Sequence, residues 1–247
     1  TLYFPEGQYA FGDTISIRGS IRRIHLMGSR FGIVPAHKFT DGRPLFRLED
    51  GTYPEVLMEM RGGRFDTGAT GLSAGSSRIE HASSRTLILR NTSQNYSQAP
   101  GSGLLFLEDV QGCATYKDTK VWARQLNPES CAIVNLGEAK IVNDGSDVWI
   151  LGLKTEKAEP IIATKGGGRT ELLGGSMYPV EAVPTDMPAF INIDSSHFLS
   201  FVINSFSEAA RYTILVEETK KGTTRQLKSN QVPRRGAGSH IPFYSGY

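Results

Sequence analysis

Glu129 and Glu156 stand 27 residues apart, and so do Asn127 and Lys154, Trp122 and Trp149, and Val121 and Val148. If that interval is one turn of a repeating fold, each pair stacks on neighbouring strands about 5 Å apart. Two carboxylates at that distance can share a proton or flank a glycosidic bond. The next turn brings Tyr178 and Glu181 to the same edge, and the one after brings Asn204. Arg124, Asn127, Glu129, Lys154, Glu156 and Tyr178 then line one lateral groove, and such side chains hydrogen-bond sugar hydroxyls and uronate carboxylates. In a hydrolase, Glu129 and Glu156 are the candidate acid and nucleophile. In a lyase, Lys154 or Arg124 neutralises the uronate and Tyr178 or Lys154 is the base. The same spacing is also what a solvated ladder of like residues produces, with a structural or simple binding role.

Other chemistries find little support. The five histidines, His25, His37, His81, His197 and His240, have no ligand spacing, and no metal or cofactor is implied. Gly166-Gly167-Gly168 lacks the Lys-Ser/Thr of a phosphate loop and reads as a turn. No Gly-x-Ser-x-Gly elbow is present. Cys113 and Cys131 form no CxxC pair. They fit a disulfide or two buried thiols, and the reading leans to thiols. With 27 basic and 25 acidic residues, the charge does not point to nucleic acid. No apolar run approaches a membrane span of about 18 residues.

The elements that must position the groove are short strands. Glycines, 27 of them, punctuate apolar runs, and no window supports a long amphipathic helix; one helical turn fits at Ser205–Arg211. Strand-like segments repeat with second positions Leu87, Val121, Val148, Leu172 and Phe198, spaced 34, 27, 24 and 26 residues. A second series, Leu105, Ile133, Ile161 and Phe190, is spaced 28, 28 and 29. Two interleaved series with one period fit a solenoid in which each turn carries at least two strands. The expected fold is all-β, a right-handed parallel β-helix with rungs of about 24–34 residues. A β-sandwich would need turn signals every eight to twelve residues instead. The 34-residue interval is ascribed to a bulging loop, 92–102, and a second Gly-rich loop is expected over 61–75.

Residues 1–218 are read as the β-helix. Residues 219–247, which hold Lys220, Lys221, Arg225, Lys228, Arg234 and Arg235, are read as a basic tail or cap over the open strand edge.

Leu2-Tyr3-Phe4-Pro5-Glu6-Gly7-Gln8-Tyr9, then Thr14-Ile15-Ser16-Ile17 and Ile24-His25-Leu26-Met27-Gly28, resembles the opening of pectin-lyase-like β-helix proteins. The resemblance implies a secreted or cell-surface protein with a polysaccharide partner, either a lyase or a glycoside hydrolase. The alternative is a non-catalytic surface or fibre protein, and an oligomer is open. It also implies an N-terminal capping helix ahead of Thr1. The Asn-Thr-Asp, Asp-Asp and His-Gly elements of the polygalacturonase branch are absent, and no calcium site of the pectate lyase kind can be assembled.

Overall fold

The computed structural model describes residues 1–33, 43–61, 64–65, 79–93, 96–129, 139–205 and 207–246. It is all-β, with long, mostly parallel ladders, and no α-helix occurs among the described residues. None of the described residues forms a helix long and apolar enough to cross a membrane. The chain divides into two compact units, one within residues 1–114 and one within residues 115–129 and 139–247.

The first unit contains, in chain order, β1 (Leu2–Phe4), β2 (Gly7–Phe11), β3 (Ile15–Gly19), β4 (Arg23–Met27), β5 (Ser29–Ile33), β6 (Phe46–Gly51), β7 (Glu55–Arg61), β8 (Arg64–Phe65), β9 (Ile79–His81), β10 (Thr86–Ser93), β11 (Tyr96–Gln98) and β12 (Leu105–Gln111). One ladder runs β1-β4-β7-β10-β12, a second runs β3-β6-β9-β11, and β2-β5-β8 make a short third. Alternate residues are apolar and point inward, so register carries the core. Ile24 pairs with Met58, Met58 with Leu89, and Leu89 with Leu107, and all four are buried. Arg85 is buried too, and its guanidinium donates to the carbonyls of Ile21, Glu49, Tyr53 and Glu55.

Strand β13 (Ala114–Lys117) straddles the boundary in sequence. The second unit continues with β14 (Lys120–Asn127), β15 (Ile141–Asp144), β16 (Asp147–Thr155), β17 (Ile162–Lys165), β18 (Arg169–Met177), β19 (Pro188–Ile193), β20 (Ser196–Ile203), β21 (Ile214–Lys220), β22 (Thr223–Lys228), β23 (Arg234–Arg235) and β24 (Gly238–Ser245). The strands form a ladder β14-β16-β18-β20-β24-β23 and a ladder β15-β17-β19-β21-β22, and successive strands alternate between them as far as β21. Pairing is parallel until the end, where β22, β23 and β24 turn antiparallel. Residues after Thr219 thus include paired strands.

Buried polar residues mark the turns. Asn143 donates to Arg169 O and Thr170 Oγ1 and accepts from the Ser146 amide. Asn192 repeats the position with Ser195 O and Glu218 Oε1 as acceptors. Long strands of the first ladder carry one left-handed residue, Gln125, Gly152 or Gly174. At Gly152 a Cβ would come 2.9 Å from Gln125 Oε1, so only glycine fits there without displacement.

Several expected registers shift. Val121 does pair with Val148, but Val148 pairs with Thr170 and then His197, whereas Leu172 lies opposite Ile150 and Leu199. The cause is that β18 begins at Arg169, directly after the Gly166–Gly168 turn. Phe198 lies opposite Glu171 on the outward side. Leu105 belongs with Leu87, 18 residues earlier, in the first ladder. The stretch 92–102 is therefore not one bulging loop, because Tyr96–Gln98 is a strand of the other ladder. Ile162, not Ile161, pairs with Phe190. Ile133 and most of 61–75 lie outside the described residues. Bends, not a helical turn, occupy 207–210. Cys113 is buried and disulfide-bonded rather than a free thiol; the other cysteine, Cys131, lies outside the described residues.

Candidate functional site

Strand β16 alternates buried Val148, Ile150 and Leu153 with outward Trp149, Leu151 and Lys154. Lys154 follows Leu153, whose partner is Leu126, so Asn127 and Lys154 occupy matching places on β14 and β16. Beyond the ends of these strands the chain carries Glu129 and Glu156 to the same ammonium. Lys154 Nζ donates to Glu129 Oε1 at 2.5 Å and also to Glu156 Oε1. The Tyr178 hydroxyl donates to Glu156 Oε1 at 3.0 Å, and Lys154 Nζ lies 5.3 Å from the Tyr178 ring centre. Two oxygens bonded to one nitrogen are at most about 6 Å apart.

The structure thus brings Glu129, Lys154, Glu156 and Tyr178 together. Arg124 is exposed on the same strand as Asn127, in register with Leu151 and Leu173. Glu181 accepts from the Ala158 amide and pairs with Lys157 at 3.8 Å, and Asn204 donates its amide to Met177 O.

The electrostatics of the cluster are those of a closed ion-pair network. Some desolvation opposes the charge on Lys154, but hydrogen bonds to Glu129, Glu156 and Tyr178 outweigh it and raise its pKa. The bond from Lys154, then that from Tyr178, holds the Glu156 carboxyl below the usual range. A lysine in this state is a poor base, and a carboxylate in this state is a poor acid. Inside the fold, Lys140 is fully buried and donates to Thr155 Oγ1 and Lys157 O.

A groove of about 370 Å³ opens on the outward face of the same ladder, lined in part by Trp149, Arg169, Glu171, Ser196, Phe198 and Ser245. Trp122 and Trp149 stack with centroids 5.1 Å apart and planes 12° apart. Phe198 is met edge-on by Phe243 at 4.6 Å. Sequence spacing marks the tryptophan pair but not Arg169, Glu171 and Phe198, because the short Gly166–Gly168 turn shifts the register of β18 and β20. Among the described residues no cluster of three or more His, Cys, Asp or Glu could hold a metal ion.

No protein-family model, curated protein or solved structure matches the chain. The chemistry of the site is read from its own geometry.

Proposed function

We propose that this chain is a right-handed parallel β-helix of the pectin-lyase-like kind that works on a polysaccharide outside the cell. Glu129, Lys154, Glu156 and Tyr178 form the polar end of its glycan site. The observation that carries the reading is the cluster itself: two carboxylates, an ammonium and a phenol converge on the outward edge of a parallel ladder. The strand alternation and the Leu2–Tyr9 segment support the architecture.

In the free protein the cluster suits binding better than turnover. Its ammonium is locked between carboxylates, and Glu156 holds no proton to give a leaving oxygen. Sugar hydroxyls can exchange into such a network, since each group keeps a donor or acceptor. A second reading is glycosidic cleavage by retention, which needs two carboxyl groups roughly 5–5.5 Å apart and is favoured by Glu129 and Glu156 reaching the same ammonium. It requires substrate to draw Lys154 away from one carboxylate.

The test is a panel of neutral and uronic-acid polysaccharides, scored for retention in affinity gels, unsaturated product and reducing ends. Retention that weakens in Lys154→Ala and Glu156→Gln is expected. Absence of retention and of product on every polymer overturns the reading. Product from wild type that disappears in Glu156→Gln selects cleavage.

A further inference from the structure

We propose that the groove beside Trp149 is a binding subsite for a neutral, hydroxyl-rich pyranose. This rests on the polysaccharide reading above and names its substrate class as uncharged sugar, in contrast to the uronates of pectate-type substrates.

The argument begins with ring faces. Trp122 covers one face of the Trp149 indole, so the other face turns toward the groove that Trp149 lines. Trp149, Glu171 and Phe198 are register partners on β16, β18 and β20. Two strand spacings, about 9.6 Å, therefore separate the backbone positions of Trp149 and Phe198, with Glu171 between them. A flat apolar face next to a carboxylate fits a pyranose, whose C–H face packs on the ring while its hydroxyls donate to the acid.

Charge then selects the sugar. Arg169 is the cation of the groove, but its Nε donates to Asp147 Oδ1 at 2.7 Å, which offsets its charge. The side chain stays 71% exposed, so its terminal amino groups face solvent and can donate to hydroxyls. Glu171 has no ion pair among the described residues, and it stands between the two aromatic positions. A uronate stacked on Trp149 would bring its carboxylate against Glu171, a like-charge contact that disfavours binding. A neutral hexose or pentose meets only donors and acceptors.

The chain has two tryptophans, and both are in this stack, so its intrinsic fluorescence reports the site. The full chain is titrated with neutral hexasaccharides of the cello-, xylo- and laminari- series and with oligogalacturonate and oligomannuronate. Fluorescence and calorimetry are read in parallel. A saturable response to at least one neutral series, about tenfold or more tighter than to either uronate, is expected. Trp149→Ala should abolish it and Trp149→Phe should retain most of it, which separates loss of the platform from loss of fold. Glu171→Gln should bring the uronates within a few-fold of the neutral series. Uronates binding wild type as tightly as neutral sugars overturns the proposal. So does polysaccharide retention in affinity gels that Trp149→Ala and Arg169→Gln leave unchanged; in that case the general polysaccharide reading stands. If no polymer is retained at all, the general reading falls and the subsite with it.

Discussion

The ammonium of Lys140 lies 2.5 Å from the hydroxyl of Thr155, the residue between Lys154 and Glu156. A fully buried lysine thus supports, from within, the strand end that presents the surface cluster. Desolvation pushes Lys140 down to about 8 from 10.5, against the attraction of Glu159, Glu129 and Glu181. Between those two values the unfolded chain binds more protons than the folded one, so stability rises with pH over that window. The gain is on the order of 3 kcal/mol. Urea denaturation from pH 7 to 10.5 should show it, and Lys140→Met should flatten that segment of the profile.

Glu156 titrates with the opposite sign. Its folded-state pKa is depressed by Lys154 and Tyr178, so its contribution is complete above the unfolded value near 4.5 and is lost as pH falls through the folded one. Thermal melts below pH 5 should lose stability less steeply in Glu156→Gln than in wild type. The carboxylate is only partly buried, so the difference will be small and will shrink further in salt.

Arg85 makes a sharper demand on the first unit. It satisfies four backbone carbonyls from a buried position. Arg85→Met keeps bulk and removes every donor, which should cost about 3–5 kcal/mol. Calorimetry should show the first unit melting earlier, and hydrogen exchange should localise the loss to residues 49–55.

Cys113 gives a redox prediction. Its disulfide restrains the unfolded chain, so reduction, or Cys113→Ser, should lower stability by about 2–4 kcal/mol. Melts with and without dithiothreitol check this, and the Ser variant should be insensitive to reductant.

The inward positions Leu87, Val121 and Val148 were legible because strict alternation betrays a half-buried strand. The Glu129–Lys154–Glu156 cluster was legible for the same reason: β14 and β16 share register from Lys120 through Leu126, so counting from Val121 works. Counting failed at β18, where the triple glycine shortens the turn and moves Thr170 under Val148. It failed again at β11, three polar-leaning residues that resemble a loop and complete a turn of only 18 residues. Lys140 was invisible because a lysine beside a strand reads as solvated. The buried turns Asn143–Ser146 and Asn192–Ser195 left a trace, an Asn-x-x-Ser spacing repeated before β16 and β20, whose meaning depends on burial that sequence does not display.

The antiparallel pairings of β22, β23 and β24 bear on how the ladder edges meet other strands. A stack of parallel strands offers at its last edge a template on which another copy could add in the same sense. Here β24 runs the other way and β23 turns back to the original sense, and this outermost strand, Arg234–Arg235, is two residues long and carries two positive charges. On this ladder another strand meets only a short, charged edge, and on the other ladder it meets β22, which runs against its neighbour and carries Arg225 and Lys228. Charge, shortness and reversed direction at these edges disfavour the edge-to-edge pairing that an open parallel ladder invites.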